Sequence, residues 1–124
     1  LVQQVQAPGA PVIYFGVDTA TLLPSMRETG ADVIGLDWRI PLSAGKQAVG
    51  AHCAVQGNLD PIALFAPEAL LRNRVEEVLR QASGIPGHIF NVGHGIVPNT
   101  PVENVKCVVR WVREICAQMK AEQV

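Results

Sequence analysis

The chain has 124 residues, of which 48% are apolar and 17% are charged, and its formal net charge is −1. This length fits one domain with a hydrophobic core, and the near-zero charge gives no basic footprint for nucleic acid or an anionic membrane surface. No apolar run approaches the roughly 20 residues of a membrane-spanning helix, so neither a nucleic-acid partner nor a membrane is expected.

The spacing of apolar residues predicts four βα units in chain order. Residues 1–9 read as the tail of a polar helix that leads into a loop. The predicted strands cover residues 11–16, 32–38, 52–57 and 88–92, and the predicted helices lie within 19–30, 43–49, 67–84 and 102–119. The strand at 11–16 is an unbroken apolar run, which is typical of a strand that is covered on both faces.

Several residues are candidate helix caps. Asp18 or Thr19 is expected to cap the first helix after its strand, and Ser43 is a candidate cap for the second. Thr100 and Glu103 have the spacing of a capping box, in which each side chain bonds to the other residue's backbone N–H.

The two longer predicted helices each carry an apolar stripe, which predicts the face that packs on the sheet. The stripe of the third helix consists of Leu70, Leu71, Val75, Val78 and Leu79. The stripe of the last helix consists of Val102, Val105, Val108, Val109, Val112, Ile115 and Met119.

Repeated βα units with apolar strands predict an α/β fold, a parallel sheet with helices packed on it. The sheet is expected to be either a small doubly wound sheet or part of a (β/α)₈ barrel. Four units are half of a barrel of about 250 residues, and a half-barrel leaves two sheet edges open. If the barrel interpretation holds, the chain is a fragment or pairs with another half.

His94 is the first candidate functional residue. It lies between Gly93 and Gly95 in the segment Asn-Val-Gly-His-Gly, directly after the apolar end of the fourth predicted strand. Glycines let the backbone turn sharply and approach a ligand closely, and barrel enzymes carry their reactive groups at the carboxyl ends of their strands. Asp37, at the carboxyl end of the second strand, is the other candidate. It is expected to face the cleft, to accept hydrogen bonds from loop N–H groups or to pair with Arg39.

Other polar residues have structural interpretations. His52 and His88 lie at strand starts, where barrels carry residues that serve stability. Asp60, before a proline, is expected to cap a turn, and Trp38 is expected to serve packing. The cysteines are Cys53, Cys107 and Cys116; their odd number and the absence of a Cys-x-x-Cys pair predict small buried side chains in a reducing cytoplasm.

Several segments together carry a family resemblance. Phe-Gly follows the first strand, Gly-Leu-Asp-Trp ends the second, and Val-Gln-Gly-Asn-Leu-Asp-Pro ends the third. Asn-Val-Gly-His-Gly-Ile and then Thr-Pro-Val-Glu-Asn follow in the same order. Over about residues 11–121 this series resembles the C-terminal half of the uroporphyrinogen decarboxylase family.

The resemblance implies the C-terminal half of a (β/α)₈ barrel with four βα units and parallel strands. It also implies an enzyme, a cofactor-independent carboxy-lyase of haem biosynthesis. This enzyme converts the four acetate side chains of uroporphyrinogen III to methyl groups, giving coproporphyrinogen III. His94 matches a cleft histidine that contacts the carboxylate arms of this small-molecule tetrapyrrole, and no metal is implied.

The family's N-terminal arginine cluster and its aspartate under the pyrrole N–H groups have no counterpart in residues 1–124. We therefore expect a single partial domain over 1–124, inactive alone and missing the N-terminal half of the barrel. The full-length protein is expected to be a cytoplasmic homodimer.

Two other functions remain open. One is a cobalamin-linked methyltransferase of the same barrel family, which builds a zinc site from a His-x-Cys pair and a later cysteine. Here Tyr14 to Gly16 stand where that pair is expected, and His94 stands in place of the cysteine. His52 and Cys53 are adjacent in a strand, so their side chains point to opposite faces. The other alternative is a non-catalytic half-barrel module.

Overall fold

A computed structural model describes residues 2–5 and 7–123 of the chain. The strands are β1 (Ile13–Phe15), β2 (Val33–Gly35), β3 (Ala54–Gln56) and β4 (His88–Ile89). The α-helices are α1 (Val2–Val5), α2 (Leu23–Glu28), α3 (Leu42–Val49), α4 (Glu68–Ala82) and α5 (Val102–Glu122), and 3₁₀ helices cover Ala20–Leu22 and Pro61–Phe65.

The four strands form one parallel sheet in the order β1-β2-β3-β4. Each strand pairs with the next one in the chain, with Tyr14 opposite Ile34, Ile34 opposite Val55 and Val55 opposite His88. A doubly wound sheet reverses its strand order at a switch point, whereas a barrel adds strands sequentially. The prediction of an α/β fold with four parallel βα units is confirmed, and the sequential order is that of half a (β/α)₈ barrel.

The two faces of the sheet differ in burial. Ile34 and Val55 are fully buried on the face that the helices cover. Side chains alternate between the faces of a strand, so Ile13, Phe15 and Ile89 lie on the opposite face, and they are 46%, 41% and 43% exposed. No layer of the described residues packs on this open face, although Val33 on the same face is buried. Tyr14, opposite Ile34 on the helix side, is also 38% exposed, so the expectation that the first strand is covered on both faces is wrong.

The core lies between the sheet and the helices. In α4 the side chains of Leu71, Val75, Val78 and Leu79 are buried as predicted, but Leu70 is exposed. In α5 the buried residues are Val108, Trp111 and Ile115, whereas the predicted stripe residues Val102 and Val109 are exposed. The stripe of α5 is thus centred on Trp111, which the sequence analysis did not assign to the core.

The capping box at Thr100 and Glu103 does not form. α5 begins at Val102 with Pro101 at the cap position, and no side chain bonds to its first N–H groups. The Thr100 hydroxyl donates to the Val97 carbonyl at 2.6 Å, and Glu103 pairs with Lys106. The prediction was wrong because Pro101 takes the cap position and shifts the helix start by one residue.

Neither α3 nor the 3₁₀ helix at Ala20–Leu22 has a side-chain cap hydrogen bond, although Thr19 takes the cap position of the 3₁₀ helix as predicted. Pro41 is the cap residue of α3, so Ser43 lies inside the helix. Thr19 precedes the 3₁₀ helix, but its hydroxyl donates back to the Gly16 carbonyl at 3.0 Å. Asp60 behaves as predicted, since its carboxylate accepts from the N–H of Ile62 at 2.9 Å.

Within residues 2–5 and 7–123, no helix has the length and apolar character that crossing a bilayer requires. Cys53 is buried as expected, whereas Cys107 and Cys116 are half-buried.

Candidate functional site

The segments that follow the four strands meet at one edge of the sheet, which we call the carboxyl edge. They are residues 16–18 after β1, 36–39 after β2, 57–60 after β3 and 91–95 after β4. In a parallel sheet all carboxyl ends lie on the same side, and ligands of α/β folds bind there. His94 and Asp37 therefore share this edge, as the sequence predicted.

Asp37 ties two of these segments together. Its side chain is only 2% exposed. Oδ2 accepts from the Asp18 N–H at 3.0 Å and from Nη1 of Arg39 at 2.7 Å, and Oδ1 accepts from the Arg39 N–H at 2.9 Å. Two of the three arrangements foreseen for Asp37, bonding to loop N–H groups and pairing with Arg39, are thus both present.

The pKa of Asp37 reflects two opposing effects. Burial raises the pKa of this carboxyl group, but the backbone N–H groups of Arg39 and Asp18 and the Arg39 guanidinium lower it. The hydrogen bonds and the positive charge outweigh the burial, so the pKa of Asp37 lies below its usual value. The carboxylate therefore stays ionised and keeps all three donors in place at neutral pH.

Arg39 is held from two sides. Besides its bond to Asp37, its guanidinium carbon lies 4.7 Å from the centre of the Trp38 ring, which is a cation–π contact. The Arg39 side chain is still 43% exposed. The sequence analysis treated Arg39 only as a partner for Asp37, although an arginine directly after a strand-end Asp-Trp is the signal that could have identified it.

Asn58 is a site residue that the sequence analysis missed. It is buried, and its side-chain amide donates to the carbonyls of Asp37, at 3.1 Å, and Ile40. Asn58 follows the cis peptide bond Gly57–Asn58 at the end of β3. The amide thus joins the segment after β3 to the segment after β2. A polar residue directly after an apolar strand was the available signal.

Gly93 brings the last segment against the second. It is buried, and a Cβ built on it would lie 2.4 Å from the Trp38 nitrogen and 2.7 Å from the Trp38 Cα. Its N–H donates to the Leu59 carbonyl at 2.8 Å, and Leu59 forms a parallel bridge with Val92. The glycine predicted to permit close approach does so, but towards the Trp38 backbone.

His94 is exposed at this edge. Its Nδ1 lies 3.3 Å from the Gly95 carbonyl oxygen, which can only accept, so Nδ1 carries the proton in this contact. Nε2 has no hydrogen-bond partner among the described residues. The imidazole is thus available to a ligand, and because Gly93 is fixed on Trp38, its backbone is anchored one residue away.

The other two histidines lie elsewhere. His52 is exposed at the amino end of β3. His88 is half-buried and its Nε2 donates to the Gly57 carbonyl at 2.7 Å. Burial lowers the pKa of His88 below its usual value, although the bond to Gly57 acts in the opposite direction. His88 therefore supports the segment after β3 as a neutral imidazole.

A cavity of about 550 Å³ adjoins the carboxyl edge on the side of α4. Trp38, Arg39, Asn58 and Asp60 line it from the edge, and Leu70 lines it from α4. Within residues 2–5 and 7–123 there is no group of three or more His, Cys, Asp or Glu side chains that is placed to hold a metal ion. What the described edge offers is an accessible imidazole, a guanidinium and hydrogen-bond donors.

Fold and topology together define the class, which is a parallel (β/α) half-barrel with its candidate site at the carboxyl ends of its strands. The family model described as uroporphyrinogen decarboxylase (URO-D) matches residues 1–115. The chain belongs to the uroporphyrinogen decarboxylase family, and the resemblance deduced from its motifs is confirmed.

Curated relatives support this assignment. The chain is 60% identical to the uroporphyrinogen decarboxylase of Koribacter versatilis (strain Ellin345), over 88% of this chain and 31% of the relative. It is 50% identical to that of Sorangium cellulosum (strain So ce56), over 93% and 33%. Identity to a Thermus thermophilus uroporphyrinogen decarboxylase is also 50%, over 94% and 34%. The chain therefore spans about a third of the length of the curated relatives it matches.

A solved structure confirms the fold. A methyltransferase from Methanosarcina mazei superposes with a TM-score of 0.72, covering 86% of this chain and 32% of that protein. The sequence identity is 23%, so this likeness concerns the fold alone.

Proposed function

We propose that this chain forms the C-terminal half-barrel of an enzyme that decarboxylates uroporphyrinogen III to coproporphyrinogen III. The observation that carries the proposal is the docking of the Gly93-His94 segment on the Asp37-Trp38-Arg39 segment at the carboxyl edge. These are the segments on which the family resemblance rests, and they present donors and positive charge to a substrate with eight carboxylates. The whole enzyme needs no metal or organic cofactor for this reaction.

In each of the four steps, the bond between an acetate methylene and its carboxylate carbon breaks. The pyrrole ring is first protonated and becomes an electron sink, so the electron pair of the breaking bond moves into the ring as CO₂ leaves. A proton then adds to the methylene carbon to give a methyl group, and the ring releases the proton that it took up. His94 contributes by donating a hydrogen bond from Nε2 to a carboxylate arm, which it does as an imidazolium while Nδ1 keeps its bond to the Gly95 carbonyl. Asp37 contributes by holding the segments after β1 and β2 in register with each other.

The rest of the enzyme is proposed to come from sequence outside these residues. Four further βα units would close the barrel and cover the open face at Ile13, Phe15 and Ile89. The charged groups that act on the pyrrole ring itself would also come from that part. We therefore propose that the 124-residue chain alone does not turn over uroporphyrinogen, and that the full-length protein acts as a homodimer in the cytoplasm.

The test is an assay of the full-length protein with uroporphyrinogen III, in which products are separated by their number of carboxylates. In the His94→Asn variant we expect slower conversion and accumulation of intermediates with seven, six or five carboxylates. His52→Asn is the matched control, because His52 is an exposed histidine at the opposite edge of the sheet. An unchanged rate and product pattern for His94→Asn would contradict the proposed contact between the His94 imidazole and the substrate.

The methyltransferase alternative rests on the shared fold. A zinc site at His52 and Cys53 is disfavoured because one side chain is exposed and its neighbour is buried. Stoichiometric zinc in the full-length protein, together with no decarboxylation, would favour this alternative. A protein that neither decarboxylates nor binds zinc would favour the non-catalytic half-barrel module.

A further inference from the structure

We propose that Arg39 is a second binding group for a substrate carboxylate at the carboxyl edge, which it shares with His94, and that it is oriented by Asp37 and Trp38. The inference rests on the proposed function, because it takes the substrate to carry several carboxylate arms. It adds a specific contact that neither the family resemblance nor the motifs assign.

The orientation of Arg39 is fixed by two contacts in different directions. The Asp37 carboxylate accepts from the backbone N–H of Arg39, at 2.9 Å, and from Nη1 of Arg39, at 2.7 Å. One carboxylate therefore holds both the backbone and the guanidinium of Arg39. The guanidinium carbon also lies 4.7 Å from the centre of the Trp38 ring, on which it packs. A side chain held in this way loses little further rotamer freedom when a ligand binds, which favours affinity.

The guanidinium still has capacity for a ligand. It carries five N–H donors, and Asp37 is its one hydrogen-bond acceptor among the described residues. The side chain is 43% exposed and lines the cavity beside the carboxyl edge, so a carboxylate can reach it. An arginine fork binds a carboxylate through two parallel N–H bonds, which gives both strength and orientation.

The negative charge of Asp37 does not prevent the Arg39 guanidinium from binding a second carboxylate. Its oxygens also accept the N–H groups of Asp18 and Arg39, so backbone dipoles share in the stabilisation of its negative charge. A second carboxylate that approaches the free edge of the guanidinium therefore meets a partly neutralised partner. In this pair the buried Asp37 positions Arg39, and the exposed part of Arg39 contacts the ligand.

Other ion pairs of the chain lack this arrangement. Arg80 pairs with Glu77 and Lys106 pairs with Glu103, and in each pair both side chains lie on one helix and are accessible to solvent. Only in the Arg39 pair, among the ion pairs of the described residues, is the acid buried. Gly93 packs on Trp38, and Arg39 and His94 each follow that contact by one residue, so both groups belong to segments that meet at the carboxyl edge.

The experiment measures binding in the full-length protein without turnover. Uroporphyrin, the oxidised macrocycle with the same eight carboxylates, is titrated by fluorescence at low and high salt. We expect Arg39→Gln to bind about tenfold more weakly at low salt, the factor expected from the loss of a charge-assisted hydrogen bond. Arg39→Lys, which keeps the charge without the fork, should recover part of the affinity. Arg80→Gln is the matched control and should bind as the wild type does.

The salt dependence separates binding from a structural effect. Loss of a direct ionic contact makes the affinity of Arg39→Gln less sensitive to salt than that of the wild type, and Arg39→Lys should restore the sensitivity. Equal weakening in both variants with an unchanged salt dependence would overturn the inference. Should Arg39→Gln fail to fold, Arg39→Lys decides alone, and wild-type affinity in that variant would overturn it.

The outcomes also distinguish this inference from the proposed function. If the wild type decarboxylates uroporphyrinogen and Arg39→Gln binds uroporphyrin normally, the inference fails and the proposed function stands. If the wild type neither decarboxylates uroporphyrinogen nor binds uroporphyrin, both fail.

Discussion

Gly93→Ala is the most informative single change, because it tests the contact that joins the two site segments. The new Cβ would lie 2.4 Å from the Trp38 nitrogen, and an ordinary contact begins at 3.4 Å, so the two backbones must separate by about 1 Å. Overpacking of this kind costs about 1–3 kcal/mol. Weakening of the 2.8 Å bond from the Gly93 N–H to Leu59 adds about 1 kcal/mol.

The expected total is a loss of about 2–4 kcal/mol in the free energy of unfolding. Urea denaturation followed by circular dichroism measures this loss as a lower midpoint at constant slope. The matched control is Gly95→Ala, two residues away, since a Cβ there meets no atom within 4 Å and its φ lies outside the left-handed region. Gly95→Ala should be neutral or slightly stabilising, because alanine restricts the unfolded chain.

The rate of decarboxylation by the full-length protein should fall in Gly93→Ala and stay close to that of the wild type in Gly95→Ala. Gly93→Ala moves the backbone on which both Arg39 and His94 depend, whereas Gly95→Ala leaves that contact in place. Equal stability and equal activity of the two variants would refute the claim that close approach of Gly93 to Trp38 builds the site.

Three further predictions concern the fold. Trp111→Ala should cost about 3–5 kcal/mol in urea unfolding because Trp111 is 2% exposed, whereas Val109→Ala should stay within about 0.5 kcal/mol; a larger loss at Val109 would contradict the burial pattern of α5. Glu103→Ala should also cost less than about 0.5 kcal/mol, because Glu103 makes only an exposed pair with Lys106; a loss near 1 kcal/mol would instead indicate a working capping box. The pKa of His88 is lowered in the folded protein, so its contribution to stability is present above the usual histidine pKa of about 6.5 and is lost as the pH falls through the folded value. The urea midpoint should therefore fall more between pH 8 and pH 5 in the wild type than in His88→Gln, and identical pH profiles would exclude this linkage.

The sequence was sufficient for the order of elements and the edge that carries the site. Apolar runs such as the one at Ile34 marked the strands, and polar or glycine residues directly after them marked the loops at their carboxyl ends. Since parallel strands place all such loops at one edge, His94 and Asp37 could be assigned to the same region from the sequence alone. The motifs, taken in order, were specific enough to identify the family.

Local patterns were less reliable where a neighbouring residue competes for the same position. Thr100 and Glu103 have the spacing of a capping box, but Pro101 occupies the cap position and the box is lost. Similarly, valines fill the stripe of α5, yet the large ring of Trp111 occupies the packed face and leaves Val109 exposed. The spacing of apolar residues along a helix does not show which of them fills the space between that helix and its neighbours.

By itself, the sequence determined the βα order, the apolar strands and the residues that follow them, because these depend on neighbours along the chain. Only the tertiary structure decided that β1 is exposed, which groups bond to Asp37 and how closely Gly93 approaches Trp38. Those features depend on groups far apart in the chain. Burial and hydrogen bonding are set by what lies opposite a residue, and that is fixed only when the strands have paired.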